Sequence, residues 1–401
     1  MTWLRAPFFN RPYLKLVVMS ALAVNQLWVL LENHGMILRR PGYSDFGLYY
    51  LYARVGLHQG WSHLYDAAAQ HQEWLRVGGD AVVQWFPIVY LPPLPWVVVP
   101  FTVLPLPLAY ICWSALLVAC SLLTWRLVAP RYPAVDRWTA LASMLAIAAV
   151  PYALLLGQIL IVQLAAIAVA WWLLKRRQDS LAGLALLALV FKPQIAILLP
   201  VILLVIGRWR ALAAWVAGSG LIAALAVSST GLNGFHEYLR RVGDAASAAP
   251  QFFVPSDLTL AGFFGRGPLA LGLSVAVVGL TLVAAYRNRR SGPALPISCA
   301  LAGSMAVTPY LHSQDLATLF LAGGIALTGG LDRWRRWMLI AGYALLLAYS
   351  YWDIPGVGTV LGALILSIEI AWLLALSIVP QSGAATDRRL AFTEEPLDRS
   401  A

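Results

Sequence analysis

Apolar runs follow one another through most of this chain, and they decide its fold class before any motif is considered. The first, LKLVVMSALAVNQLWVLLEN (14–33), already has the ~20 residues that an α-helix needs to cross the hydrocarbon of a bilayer. Similar stretches recur as far as residue 378. Of the 401 residues, 60% are hydrophobic and 11% charged, against about 25% charged in soluble domains. Mean hydropathy is +0.73. The expectation is an all-α, polytopic transmembrane bundle of about 10–12 membrane helices, because a helix satisfies its own backbone hydrogen bonds inside lipid.

The net charge of +10 is distributed in a way that excludes nucleic-acid binding. Its bases stand in short clusters between apolar runs: Lys175-Arg176-Arg177, Arg208 with Arg210, Arg287 with Arg289 and Arg290, and Arg333 with Arg335 and Arg336. This is the positive-inside pattern, which orients helices toward the anionic cytoplasmic leaflet. Arg5, Arg11 and Lys15 precede the first run, and no small-residue cleavage site closes it. It therefore reads as a retained first helix starting in the cytoplasm, in a multi-pass plasma-membrane protein. Cys112, Cys120 and Cys299 all fall inside apolar runs and say nothing about redox compartment.

Helix 1 leads to a long external loop, 34–85, in which DFGLYYLYARVGL and HLYDAAAQHQEWLRV have helical periodicity with mixed faces. They read as helices lying in the interface. The following segment, 86–105, is rich in proline, which lacks an N–H and breaks helices. A full crossing there would carry Arg126, Arg131 and Arg137 outside, so it is read as re-entrant. Residues 180–206 have bases at both ends and read as a hairpin whose tip lies near Lys192-Pro193. The remaining crossings are expected at 106–128, 138–155, 158–174, 211–229, 268–286, 293–310, 316–329, 337–351 and 355–378, with a second external loop at 230–267. These form one domain, 1–380, followed by a short polar cytoplasmic tail, 381–401. Both termini are then cytoplasmic, and Asp45, the Gly157-Gln158 turn, the Tyr310–Asp315 turn and Asp353 all come out on the external face.

Few residues in this chain carry chemistry. Asp45 stands among Tyr43, Phe46, Tyr49, Tyr50 and Tyr52, either as a solvated loop acid or as a functional carboxylate. His58, His63 and His71 lack the helical spacing of a metal site. Arg54 and Arg76 read as ordinary surface charges. Asp315, three residues after His312, reads first as a helix cap, whereas His312 beside Pro309 is a costly polar ring at a membrane-face turn. Lys192, deep in the hairpin, needs a partner, a water-filled cavity or an anionic ligand such as a lipid phosphate, unless it snorkels to an interface.

The order of several short motifs resembles glycosyltransferase family 87, polytopic enzymes of the GT-C class that use lipid-phosphate sugars. They are Ser44-Asp45 with Tyr49, Leu64-Tyr65-Asp66, Tyr90-Leu91-Pro92-Pro93-Leu94, Gly157-Gln158, Lys192-Pro193 with Pro200, and Pro309-Tyr310-Leu311-His312 with Asp315. Leu160 stands where such families often show Asn or Thr. The resemblance implies an inverting, mannosyltransferase-like transfer of a hexose or pentose from a polyprenyl-phosphate donor to a lipid or glycan hydroxyl, at the extracytoplasmic face. It implies Asp45 as general base, its aromatic neighbours as sugar-holding rings, and His312 and Lys192 at the leaving phosphate. Tyr49, Tyr90, Gln158, Tyr310 and Asp315 become candidate substrate contacts. No cofactor is implied, a divalent-metal requirement stays open, and a monomer among membrane lipids is expected. The competing reading is a transporter or flippase for a lipid-linked glycan or small solute, which broken helices and Lys192 would suit.

Overall fold

The computed structural model describes residues 12–39, 44–77, 90–130, 133–252, 258–309, 311–351 and 357–378; among them every regular element is a helix. Tyr43, Tyr310, Asp353, Arg131 and the 381–401 tail lie outside the described residues.

The chain opens with α1 (Pro12–Arg39); α2 (Asp45–His58) and α3 (Ala67–Arg76) follow in the first loop. The short α4 (Pro93–Val98) and a 3-10 turn (Val99–Val103) lead into α5 (Leu106–Val128). Next, α6 (Ala134–Ala146) and α7 (Ala149–Leu156) form one path bent by 63°, and α8 (Leu160–Lys175) returns beside α5. The segment from α9 (Asp179–Ala185) to α10 (Leu199–Val205) is broken by two 3-10 turns, Leu186–Phe191 and Pro193–Ala196. After it come α11 (Trp209–Phe252), kinked at Gly231, then α12 (Leu260–Phe264), α13 (Pro268–Asn288), α14 (Ala294–Val307), α15 (Ala317–Leu327), α16 (Arg333–Tyr351) and α17 (Val357–Ile378).

Among the described residues, five helices (α1, α5, α11, α13 and α17) are long and apolar enough to cross a membrane, or six spans if α6 and α7 make one. The other expected passes are realised by shorter apolar helices such as α8, α14 and α15. Their surroundings explain the difference. Almost every side chain of α14, and most of α8, is buried by protein, whereas α1 and α13 leave Val17, Val24, Trp28, Leu269, Leu271 and Val275 exposed. A helix apolar all round and enclosed by neighbours is a bundle core, and the exposed apolar faces belong to lipid.

The hairpin geometry is explicit. Arg208 Nη1 donates to Asp179 Oδ1 at 2.9 Å, joining the end of α10 to the start of α9. The small Gly183 lets α9 lie directly on the Ala211 carbonyl of α11. The chain thus leaves one end of the bundle at Asp179, turns at Lys192-Pro193 and returns to that end at Arg208. Thirteen residues of mixed α and 3-10 rise put Lys192 roughly 20 Å from it.

The basic clusters collect at this same end. Arg287 Nη1 donates to Ser377 O at 2.5 Å, Asn288 Nδ2 to Leu376 O at 2.9 Å, and Arg335 Nη2 to Ala375 O at 2.9 Å. These donors meet the last carbonyls of α17, where a helix has unpaired acceptors and a negative dipole end. Several of the bases lie over aromatic rings, among them Arg176 over Trp172 at 3.6 Å and Arg289 over Tyr286 at 3.5 Å.

At the opposite end, α2 packs against α4 and α5, and α3 packs against α2. Phe46, Tyr49, Tyr50, Leu51, Tyr52, Ala53 and Val55 of α2 are all buried. Leu51, Tyr52, Leu64, Tyr65 and Trp74 make a separate small core, closed by Tyr238 of α11, whose ring lies 5.2 Å from that of Tyr65. The two segments expected to be external, 34–85 and 230–267, thus meet in one cap where they are described.

Candidate active site

Asp45 owes its position to a helix start. Ser44 has extended backbone and its Oγ accepts the Gly47 N–H at 3.0 Å, so Asp45 is the first residue of α2. The helix N-terminus favours an anion there. Phe46 then anchors the turn, its ring stacked on Trp113 of α5 at 5.3 Å.

Gln158 is brought to Asp45 by the end of α7. Gly157 closes that helix with φ 70°, in the left-handed region where a side chain is strained. A Cβ on it would also stand 2.6 Å from the Phe46 Cβ. Trp113 Nε1 donates to the Gly157 carbonyl at 2.8 Å and fixes the turn. Gln158, buried, then donates from Nε2 to Asp45 Oδ2, while its Oε1 accepts the Tyr49 hydroxyl at 3.4 Å. Tyr90 packs edge-on against Tyr49, ring centroids 5.1 Å apart, and its hydroxyl also hydrogen-bonds the Asp45 carboxylate.

The hairpin tip supplies the second half. Pro193 and the two 3-10 turns break the helix on either side of Lys192 (φ −148°, ψ 74°), and its ammonium pairs with Asp315 Oδ1, both side chains buried. The other carboxylate oxygen of Asp315 accepts the His312 N–H at 3.1 Å, capping the 3-10 turn Ser313–Leu316. Asp315 is therefore cap and counter-ion together. The ammonium that the sequence leaves in need of a partner has one.

Asp45, Tyr90 and His312 remain partly exposed, whereas Gln158, Lys192 and Asp315 are buried. The arrangement is an accessible rim over a polar floor. Burial pushes the Asp45 carboxyl up to about 6, helped by the charge of Asp315 and opposed by Lys192, Gln158 and Tyr90. At pH 7 it is mostly ionised, with basicity well above that of an ordinary carboxylate. His312 is pulled below its usual value by burial and by the charge of Lys192, against Asp315. Its imidazole is neutral at pH 7 and can offer an N–H.

Of the expected site residues, Asp45, Tyr49, Tyr90, Gln158, Lys192, His312 and Asp315 belong to this one cluster, linked by direct contacts or by charge. Tyr310 lies outside the described residues. The aromatics beside Asp45 do a different task from the expected one of holding sugar. Phe46, Tyr49, Tyr50 and Tyr52 are at most 3% exposed, and the Tyr50 hydroxyl donates to Leu104 O at 2.9 Å. They bind α2 to the bundle; among the described residues Tyr90 keeps a partly open face, and so does Tyr152 of α7, on which the charge of Asp45 acts.

Arg54 and Arg76 are not ordinary surface charges. Glu73 is fully buried, and it accepts from Arg54 Nε at 2.6 Å, lies 3.1 Å from His58 Nδ1 and accepts from Arg76 Nη1 at 3.1 Å. This hub joins α2 to α3. The Glu73–Arg76 spacing of three, a helical neighbour pair, was the one sequence signal available for it. The supporting Trp113 gave none, because it sits inside an apolar run.

A model of Glycosyltransferase family 87 matches residues 89–313, more than half of the chain. The span takes in Tyr90, Gln158, Lys192 and His312, and leaves Asp45 and Asp315 outside it. No curated protein and no solved structure matches the chain.

Proposed function

This chain belongs to glycosyltransferase family 87, a family of membrane glycosyltransferases, and from that premise we propose that it moves a mannose or related sugar from a polyprenyl-phosphate donor to a hydroxyl acceptor. The transfer takes place at the extracytoplasmic face, opposite the basic end, with inversion at the anomeric carbon. Family membership favours transfer over transport of a lipid-linked glycan.

The observation that carries the reading is the difference between the two acids of the site. Asp315 is occupied by the Lys192 ammonium and the backbone N–H of His312, which leaves the His312 imidazole outside this pair. Asp45 is held by Gln158 and Tyr90, which are uncharged, and it keeps access from the rim. It accepts the acceptor's hydroxyl proton as that oxygen attacks the anomeric carbon; the bond to the phosphate oxygen breaks on the opposite face. The leaving lipid phosphate gathers negative charge, which the remaining donors of the Lys192 ammonium and the neutral His312 N–H stabilise. Gln158 and Tyr90 hold the carboxylate in line, and the exposed apolar faces carry the prenyl chain.

The test is transfer by purified protein from radiolabelled polyprenyl-phosphate sugars to membrane lipid or glycan acceptors. A labelled product lost in Asp45→Asn is expected. Transfer from a nucleotide sugar, or an unchanged rate in Asp45→Asn, would overturn the donor and base assignments respectively. Cysteines introduced at Asn233 and Arg177 report the face: outside labelling should reach the first and miss the second.

A further inference from the structure

Lys192 occupies a place where a helix has been broken inside the bundle, and broken backbone there must be held by something other than its own hydrogen bonds. Pro193 removes one N–H, and the 3-10 turns before and after the tip use a shorter hydrogen-bond pattern than a helix. Three side chains from three other elements reach this segment. Gln163 of α8 donates from Nε2 to Ala188 O at 3.0 Å and to Lys192 O at 3.3 Å. Ser304 of α14 accepts the Leu198 N–H at 3.0 Å, beyond the tip. Asp315 meets the ammonium itself.

Gln163 is the least expected of these. It is completely buried in a helix whose other buried residues are apolar or aromatic. A primary amide has two N–H donors, and both are spent on carbonyls of the hairpin tip. The reverse orientation would aim its oxygen at two carbonyl oxygens, so the geometry fixes the amide. Its Oε1 has no hydrogen-bond partner among the described residues, which costs stability in a buried site. A leucine at this position of α8 would avoid that cost. The retained amide therefore answers a need of the tip rather than of α8.

We infer that Gln163 is a positioning residue for the donor phosphate: it clamps the carbonyls of Ala188 and Lys192 and so holds the Lys192 ammonium at Asp315, facing the site. Ser304 fixes the returning arm in the same way. The inference rests on the reading that Lys192 meets the donor phosphate. Gln163 does not touch substrate; it acts through Lys192.

The experiment is a cycle of variants in purified, monodisperse protein, read as donor KM and kcat separately with a polyprenyl-phosphate sugar. Gln163→Leu keeps size and removes both donors, and a rise of roughly ten-fold in donor KM is expected from two lost hydrogen bonds, with acceptor KM unchanged. Gln163→Glu should fall between it and the parent at low pH, where the protonated acid keeps one donor. The second background replaces the ion pair by Lys192→Met with Asp315→Asn, so that no charge is left buried alone. There Gln163→Leu should change donor KM no further, because its effect passes through the ammonium. An equal rise in both backgrounds, or an unchanged donor KM in Gln163→Leu, overturns the inference. If the neutral-pair background alone leaves donor KM at the parent value, the role of Lys192 fails instead. Should Gln163→Leu be too unstable to purify, amine-reactive labelling of Lys192 in Gln163→Glu across pH replaces it. Labelling that rises more steeply than in the parent as the carboxyl ionises supports the clamp, and labelling that follows the parent at every pH sinks it.

Discussion

Two acids on consecutive helices of the first loop meet opposite surroundings. Glu73, on α3, is ringed by Arg54, His58 and Arg76. Asp45, at the start of α2, touches Gln158 and Tyr90, and feels the charge of Lys192, which is itself paired with Asp315. Burial raises both carboxyls. At Glu73 the hydrogen bonds and charge of Arg54, with His58 and Arg76, outweigh it and hold the group below its ordinary value, whereas at Asp45 burial prevails. The lesson is that a carboxylate saturated by cations is a brace, and one held by neutral donors keeps its appetite for a proton.

The comparison breaks most readily on activity. Asp45→Asn keeps the size of the side chain and an acceptor for Gln158, and removes the proposed base. General-base catalysis contributes ~10²–10⁴-fold, so turnover per folded molecule should fall by that order with donor affinity retained. Glu73→Gln should do the reverse: losing charge-assisted hydrogen bonds costs about 2–3 kcal/mol of stability, with kcat preserved in the protein that remains folded. Turnover measured on matched folded fractions, beside melting temperature in detergent, distinguishes them. Equal loss of turnover in both variants would erase the contrast.

The next effect separates a charge from its partner. Lys192→Ala leaves Asp315 buried without its cation, and breaking a buried pair costs about 3–5 kcal/mol. Low yield of that variant is therefore expected and says little about substrate. Lys192→Met with Asp315→Asn should recover folding and still bind donor weakly. Recovery of donor binding along with folding would make the pair purely structural.

How much of this was legible in the sequence depends on the kind of signal. The apolar runs and basic clusters carried the bundle, the common basic end and the hairpin, because lipid leaves a chain few ways to hide its backbone. Asp45, Gln158, Lys192 and His312 stood out as polar residues in apolar surroundings. Their mutual arrangement did not, since Asp45 meets Gln158 and Lys192 meets Asp315 only through contacts across the fold. The role of the α2 aromatics was hidden for another reason. Burial against protein and exposure to a sugar look alike in a run of tyrosines. Gln163 was passed over within an apolar helix, and its meaning depends on two carbonyls of the hairpin.

A smaller effect tests the turn that carries Gln158. Gly157→Ala places a side chain where φ is 70° and the Phe46 Cβ would be 2.6 Å away. The left-handed conformation alone costs about 1–2 kcal/mol, and relief would shift Gln158 off Asp45. A fall in kcat of roughly ten-fold, the equivalent of ~1.4 kcal/mol, with donor KM little changed, is expected from steady-state rates. A fall in melting temperature alone, at full kcat, would detach Gln158 from the chemistry.

The finest distinction is in pH. In the proposed mechanism the ionised form of Asp45 is the active base, so kcat/KM should rise with pH through about 6, where burial sets its carboxyl. Asp315→Asn, read per folded molecule because it also breaks the buried pair, removes a negative neighbour that raises this value, and the acid limb should move to lower pH. Glu73→Gln should leave the limb in place, because Glu73 is not among the groups acting on Asp45. Stability has the opposite sign at the two acids. Asp45 is raised above its unfolded value of 3.8, so its contribution is fully present below that pH and is lost as pH rises through about 6. Glu73 is lowered from 4.5, so its contribution is present above 4.5 and is lost as pH falls through its folded value. Melting curves taken from pH 8 down to well below 4.5 should therefore show Asp45→Asn gaining on the parent toward alkaline pH, while Glu73→Gln is at its full disadvantage everywhere above 4.5 and converges with the parent only in acid below that value. A parallel shift of both variants at every pH would mean that neither carboxyl differs between folded and unfolded chain, and the contrast between brace and base would lose its electrostatic ground.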